Sequence, residues 1–213
     1  MNDRLLSCRY LLLASAFGLG LLISSPIAAA QQRYNHQTLH SLQTAYRAER
    51  NAHHRYLAFA QKADQEDYRE IANLFRAAAR AEEIHMLNHA AVIRGMGGTA
   101  ASVIEFPVVK STRENLLRAA KDEDSERETL YPAFIQQAKA EQDQNAAYTF
   151  DLARQAEGQH SNLFANALVA LANGWEISRT YYVCSVCGYT VDIPVSEHCI
   201  SCASPPEKYE AVS

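Results

Sequence analysis

Helix-breaking residues are scarce in this sequence of 213 residues, which contains only 8 glycines and 6 prolines. An excess of basic residues is also lacking, because 20 lysines and arginines stand against 24 aspartates and glutamates and give a formal net charge of -4. The chain therefore has no electrostatic basis for binding nucleic acid. Hydrophobic residues make up 48% of the sequence, which is enough for a packed core, and the length allows one good-sized domain and one small one.

The N-terminus has the pattern of an export signal. Arg4 and Arg9 precede the apolar stretch from Tyr10 to Ile23, and small residues ending at Ala30 follow it. We expect residues 1–30 to be a signal peptide that is cleaved near Ala30, which predicts a periplasmic protein. The alternative is an uncleaved anchor, but the apolar stretch is shorter than the roughly 20 residues that a membrane-spanning helix needs. After cleavage we expect no stable membrane span.

The central part of the chain is rich in Ala, Leu, Glu, Gln and Arg, which favour helix. Four helices are predicted, with a long connection between the second and the third and tight turns at the other two junctions. This is the topology of a ferritin-like four-helix bundle with one crossover. The composition changes after the fourth helix, where Tyr, Val, Cys, Gly and Pro replace Ala and Glu. The predicted helices cover about residues 35–63, 66–94, 111–140 and 143–172, within a bundle domain at 31–174 and before a small module at 181–213.

Seven carboxylate and imidazole side chains share a spacing that groups them on helix faces. Six of them form pairs three residues apart, and side chains at that spacing point in a common direction. The set consists of Glu49, Glu82, His85, Glu123, Glu126, Glu157 and His160.

The same residues are predicted to lie at one level of the bundle. Glu49 and Glu82 are 33 residues apart with a polar turn midway between them, and Glu123 and Glu157 are 34 apart with another. Each helix hairpin thus delivers one glutamate and one Glu-x-x-His, which is the ligand pattern of a di-iron carboxylate bundle. A lone Glu-x-x-His is usually a solvated helix face. Two copies with level partners favour a dinuclear site, and ligands without thiolate suit iron or manganese.

Other polar residues of the helices are interpreted separately. Glu83, His53, His54 and His89 are given no metal role. Tyr56 and Tyr131 are expected to support the site, because a buried hydroxyl needs a partner such as a ligand carboxylate.

Four of the five cysteines form two Cys-x-x-Cys pairs near the C-terminus: Cys184 with Cys187, and Cys199 with Cys202. Paired knuckles of this kind match a tetrahedral four-thiolate site for zinc or a single iron. Two disulfides are the alternative in an exported protein. We favour iron over zinc, because an adjacent di-iron site would require electrons.

These motifs resemble the rubrerythrin family over nearly all of the chain from Glu49 to Tyr209. The residues that carry the resemblance are Glu49, Arg55-Tyr56, Phe59-Ala60, Ala81-Glu82, His85, Glu123, Glu126, Tyr131-Pro132, Ala156-Glu157, His160 and Cys187-Gly188-Tyr189. The resemblance implies a ferritin-like bundle with two irons, followed by a rubredoxin-like domain with one iron. It also implies reduction of hydrogen peroxide to water, with electrons passed in through the cysteine iron.

Further expectations come from the same resemblance. One iron of the pair would shift between His85 and Glu126 as its oxidation state changes. The chain would form a head-to-tail homodimer in which the cysteine iron of one subunit lies near the di-iron site of the other. The sequence departs from the family in having Ile200 where a proline is common and in carrying an export signal, so its electron donor is unidentified.

A peroxidase is the function predicted first, with His85 and Glu126 as catalytic residues and Tyr56 or a ligand glutamate as the proton donor. A ferroxidase or iron-handling protein is the second hypothesis, which explains the bundle but gives the cysteine module no task. The third is a non-enzymatic protein whose two sites are structural.

Overall fold

The computed structural model describes residues 26–213, with side chains described from residue 37 onward. Most of the predicted signal peptide, residues 1–25, lies outside the described residues. Five α-helices form the larger part of the molecule: α1 Pro26–Gln65, α2 Arg69–Gly95, α3 Thr112–Ser125, α4 Tyr131–Ala140 and α5 Gln144–Asn173. Helix α1 packs mainly on α2, and α5 packs on α3 and α4, so the bundle consists of two helix hairpins.

Local side-chain contacts define where several helices begin and end. Ser111 and Glu114 form a reciprocal capping box at the start of α3. Asp143 accepts a hydrogen bond from the N–H of Ala146 at the start of α5. Helix α5 ends at Asn173, and Gly174 caps it with a φ of 67°, the left-handed conformation that glycine adopts without strain. These signals stop the helices close to the predicted positions.

The third predicted helix is interrupted by a π-helical turn, Glu126–Leu130, between α3 and α4. The N–H of Tyr131 donates to the carbonyl of Glu126, five residues earlier. Pro132 follows. It has no N–H to donate and its ring clashes with the preceding turn, so the regular α-helical hydrogen bonds are interrupted at this point. The turn begins at a predicted metal ligand, which connects the irregular backbone with the site.

Two apolar clusters fill the bundle on either side of a polar layer. One is built around aromatic rings that include Tyr56, Phe75 and Phe164. The other includes Tyr131 and Phe150. Along each helix the predicted ligands fall between residues of the first cluster and residues of the second. The ligands are therefore enclosed within the core, with apolar packing above and below them.

The C-terminal module contains a small antiparallel sheet in the order β2-β1-β3, formed by β1 Tyr181–Cys184, β2 Thr190–Val191 and β3 Tyr209–Val212. Strand β1 pairs with both neighbours. The buried side chains of Tyr181 and Val183 join the apolar core of the bundle, so the module packs directly on it. The predicted fold class, a mainly helical ferritin-like bundle with a small C-terminal metal module, is confirmed.

The connection from α2 to α3 crosses the bundle without regular secondary structure. Arg50 of α1 holds it through a 2.7 Å hydrogen bond to the carbonyl of Ser102. Several of its apolar side chains, including Phe106, point away from the core and are exposed. Among the described residues, no helix has the length and apolar character needed to cross a membrane.

Candidate metal centre

The structure brings six of the seven predicted bundle ligands together in the core. Their side chains are almost completely buried, and they come from α1, α2, α3 and α5. They form two overlapping groups that share Glu82 and Glu157, and in each group the four ligand atoms lie within 4.8 Å of one another. The groups are Glu49, Glu82, His85 and Glu157, and Glu82, Glu123, Glu157 and His160. In a dinuclear site two carboxylates are shared by both metal ions, and each ion has further ligands of its own. The two groups fit this requirement.

Glu126 lies outside both groups and is only half-buried. It is the first residue of the π-helical turn, whereas Glu123 lies in the last turn of α3. In this structure His85 thus belongs to a ligand group and Glu126 does not, although Glu126 lies close enough for burial and the charges of Glu157 and Glu82 to raise its pKa well above its ordinary value. The assignment of Glu126 as a ligand stays a prediction.

Unpartnered oxygens show that these residues fit metal ions. Oε2 of Glu49 and Oε1 of Glu82 are buried and have no hydrogen-bond partner, and Oε1 of Glu157 faces only Nδ1 of His85, 3.0 Å away. A buried carboxylate oxygen without a donor costs several kcal/mol, on the order of the desolvation of an ion. Cations placed among the ligands would remove that cost.

The charges of the cluster perturb its ionisation. Burial, together with the negative charges of Glu82, Glu126 and Glu157, raises the pKa of Glu49 well above its ordinary value. Burial and the neighbouring Glu157 and Glu82 raise the pKa of Glu123 in the same way. Burial also works to raise the pKa of Glu157, but the adjacent His85 and His160 outweigh it and lower that pKa.

Two tyrosines support the ligands in equivalent ways. The hydroxyl of Tyr56 donates to Oε1 of Glu123, and the hydroxyl of Tyr131 donates to Oε1 of Glu49. Each contact joins one helix hairpin to the other. The tyrosines therefore orient the two glutamates that are not shared between the groups.

His89 is a buried residue to which the sequence analysis gave no role. Its Nε2 lies 3.2 Å from the hydroxyl of Tyr131, and its Nδ1 lies 3.1 Å from Oγ1 of Thr149. Burial, with a smaller contribution from His85, lowers the pKa of His89 to about 3. His89 follows His85 by one helical turn, so the helical period already placed it on the ligand face.

The four cysteines of the module form a second centre. Sγ of Cys184 lies 3.6 Å from Sγ of Cys202, and Sγ of Cys187 lies 3.6 Å from Sγ of Cys199. These distances exclude disulfide bonds, whose sulfurs are about 2.05 Å apart. All four sulfurs lie within 4.8 Å of one another, as one tetrahedral thiolate site requires.

The first knuckle of the module lies directly against the ligands of the bundle. Nε2 of His85 is 3.0 Å from the carbonyl oxygen of Cys187, and Nε2 of His160 is 3.2 Å from Oγ1 of Thr190. Asn88 adds a 2.9 Å hydrogen bond to the carbonyl of Val186. The resemblance implied that the two centres approach each other between subunits, whereas here they do so within one chain. The sequence did not predict these contacts, because no spacing rule relates residues that lie 30 to 102 positions apart in different domains.

The fold and both centres define a class of protein: a di-iron carboxylate bundle joined to a rubredoxin-like iron module. Comparison with known proteins agrees, because residues 40–168 match the family model described as Rubrerythrin. The chain belongs to the rubrerythrin family.

Individual relatives extend over most of the chain. Rubrerythrin-2 of Clostridium acetobutylicum is 33% identical over 180 residues, which cover 83% of this chain and 97% of the relative. Nigerythrin of Nitratidesulfovibrio vulgaris is 33% identical over 177 residues, covering 82% and 86%. The solved structure of fully reduced, all-ferrous nigerythrin superposes with a TM-score of 0.76 at 32% identity over 82% of this chain and 86% of the other. A bacterioferritin of Desulfovibrio desulfuricans superposes with a TM-score of 0.63 at 25% identity, over 67% and 84%.

Replacement of Gly188 tests the contact between the two centres. Gly188 has a φ of 79°, and a Cβ there would lie 2.8 Å from Cδ2 of His85 and 3.2 Å from the carbonyl of Ala81. We expect Gly188→Ala to separate the module from the bundle, seen as faster hydrogen exchange in residues 181–191. Gly174→Ala is the matched control, because its φ is 67° but its Cβ would contact nothing within 4 Å. Both variants carry the left-handed strain of about 1–2 kcal/mol. Equal exchange in the two would contradict the contact.

The pH dependence of the chelator-treated protein tests the crowding of carboxylates. Glu49 and Glu123 have raised pKa values in the fold, and that of His85 is also raised, so the folded state binds more protons than the unfolded state above about pH 6.5. The free energy of unfolding should therefore fall as the pH rises from that value. Denaturant titration should show that the free energy of unfolding falls less steeply with pH in iron-loaded protein, because its ligands are already deprotonated. A stability that rises with pH in the metal-free protein would contradict this.

Proposed function

We propose that the protein is a peroxidase that reduces hydrogen peroxide to water at the bundle centre, with electrons delivered through the cysteine iron. The observation that carries this proposal is the 3.0 Å hydrogen bond between Nε2 of His85 and the carbonyl oxygen of Cys187. It joins a residue of the one centre to a ligand of the other. Such a connection would give electrons a short path from the cysteine iron to the bundle centre.

The reaction consumes one peroxide, two electrons and two protons and yields two waters. Iron(II) bound by the two ligand groups would supply the two electrons that break the O–O bond. Glu82 and Glu157, shared by the groups, hold the two positions together. Glu49 and Glu123 would balance the positive charge that the iron gains on oxidation, and their tyrosine partners keep them oriented.

The protons come from groups around the cluster. Tyr56 is the proposed donor, because its buried hydroxyl already donates to Glu123. Burial and the charge of Glu123 raise the pKa of Tyr56 well above its ordinary value, so the hydroxyl retains its proton at neutral pH. We further propose that Glu126 replaces His85 in the cluster during oxidation, as the family resemblance implies. Its place at the start of the π-helical turn supports this, since such turns often accompany functional sites.

A ferroxidase role is the second candidate, favoured by the likeness to a bacterioferritin whose solved structure describes a di-iron site in different catalytic states. That likeness covers 67% of the chain. A ferroxidase takes its electrons from iron(II) itself and gives the cysteine iron no redox task, so the peroxidase explains more of the structure.

The peroxidase proposal is tested by removing one thiolate. Cys199→Ser should lower steady-state peroxide reduction, with a reduced rubredoxin as surrogate donor, by at least about tenfold. Because the bundle is untouched, a single oxidation of the pre-reduced protein by one equivalent of peroxide should keep its rate within about twofold. Stopped-flow absorbance measures both.

Ser201→Ala is the control, since it alters the same knuckle without removing a ligand. Unchanged steady-state turnover in Cys199→Ser would contradict electron delivery through the module. Wild-type protein that reacts quickly with oxygen but slowly with peroxide would favour the ferroxidase.

We also propose a homodimer formed through the crossover connection. Phe106 is 96% exposed and Val103 is 82% exposed, and Val108 lies in the same segment. Apolar side chains this exposed are typical of an interface, and a twofold axis would place the patch of one copy on that of another. The localisation remains a proposal based on residues 1–30: a periplasmic protein, with a donor that is not a cytoplasmic reductase.

The dimer is tested by Phe106→Asp. A buried charge at the interface should weaken self-association by at least about thirtyfold, the effect of a 2 kcal/mol hot spot. Sedimentation velocity over a range of concentrations measures it. Tyr148→Asp, an exposed aromatic position on α5, is the control. A variant that sediments like the wild type would exclude this surface.

A further inference from the structure

Thr190 is a residue of the C-terminal module that reaches a ligand of the bundle. Its side chain is completely buried, and its Oγ1 lies 3.2 Å from Nε2 of His160. It lies between the two cysteine pairs without being a ligand. Thr190 thus contacts His160 in the same way as the carbonyl of Cys187 contacts His85.

The direction of this hydrogen bond follows from the partners of Thr190. The hydroxyl donates its one proton to the carbonyl oxygen of Gly188, 2.9 Å away. The oxygen can therefore only accept from His160, so the proton of the imidazole lies on Nε2. The other nitrogen, Nδ1, then presents its lone pair, and it lies 2.8 Å from Oε2 of Glu157 inside the cluster. Thr190 thus selects the tautomer and the ring orientation that a metal ligand at Nδ1 needs.

We infer that Thr190 is a positioning residue of the bundle centre: by accepting from Nε2 of His160 it fixes this histidine as a ligand, and it makes the module a structural part of the centre. Each histidine then has its acceptor in the module, a backbone carbonyl for His85 and a threonine hydroxyl for His160. The inference rests on the proposed function only in that the bundle holds iron. It does not depend on peroxide as substrate.

The predicted consequence concerns iron affinity. A partner that holds the second nitrogen of a histidine ligand typically contributes 10–100-fold to metal affinity, by the general behaviour of such contacts. Thr190→Val keeps the shape of the side chain but leaves the Nε2 proton without an acceptor in a buried place. We expect the affinity of the bundle for iron to fall by about 10–100-fold, while the cysteine iron is retained.

The test is anaerobic competition of the full iron-loaded protein with a ferrous chelator. Bundle iron is measured by the colour of the chelate, and the cysteine iron by its own visible absorption after reoxidation. Thr190→Ser restores a hydroxyl and should return the affinity to that of the wild type. Thr112→Val is the matched control, because Thr112 is equally buried but lies at the start of α3, about three helical turns before Glu123, so its iron affinity should not change.

Three results would overturn the inference. Thr190→Val could bind bundle iron as tightly as the wild type. Thr190→Ser could be as weak as Thr190→Val, which would mean that packing and not the hydroxyl matters. The valine variant could also lose cysteine iron in parallel with bundle iron, which would show general loosening of the module. Peroxide turnover is not measured here, so failure of the peroxidase proposal remains distinguishable.

Discussion

The mutual repulsion of four buried glutamates is the constraint on which the rest of the structure depends. Glu49, Glu82, Glu123 and Glu157 are at most 2% exposed and lie within one cluster. In an apolar core this arrangement is stable only when cations balance it or when protons are taken up. The apolar clusters above and below, the tyrosine donors and the two histidines all serve to hold the carboxylates where two metal ions can join them. The residues whose burial destabilises the fold most are thus the residues that would bind the metal ions.

The cysteine module completes that arrangement from outside the bundle. Its first knuckle provides the carbonyl of Cys187 to His85, strand β2 provides the hydroxyl of Thr190 to His160, and the missing side chain of Gly188 allows the close approach. Through these contacts the orientation of the two histidines would depend on the docked module, and the proposed electron delivery would use the same few atoms.

Much of this could be predicted from the sequence, because it follows from local periodicity. The three-residue spacing of Glu157 and His160 and the level positions of the glutamates led to the bundle and its cluster, and the cysteine pairs led to the second centre. The π-helical turn was not predicted, since its backbone depends on how Pro132 and its neighbours pack. The contacts of His89 and Thr190 were also missed. Their partners come from other helices or the other domain, and only the tertiary fold brings them together.

The central claim is that one chain holds a pair of irons among buried carboxylates and a third iron among thiolates. Anomalous diffraction from crystals of the protein as purified, recorded on both sides of the iron absorption edge, tests it most directly. We predict three iron peaks for each chain, two between the shared glutamates and one at the centre of the four cysteines. A single peak or none in the bundle, or scattering at the cysteines that follows the zinc edge, would contradict the account.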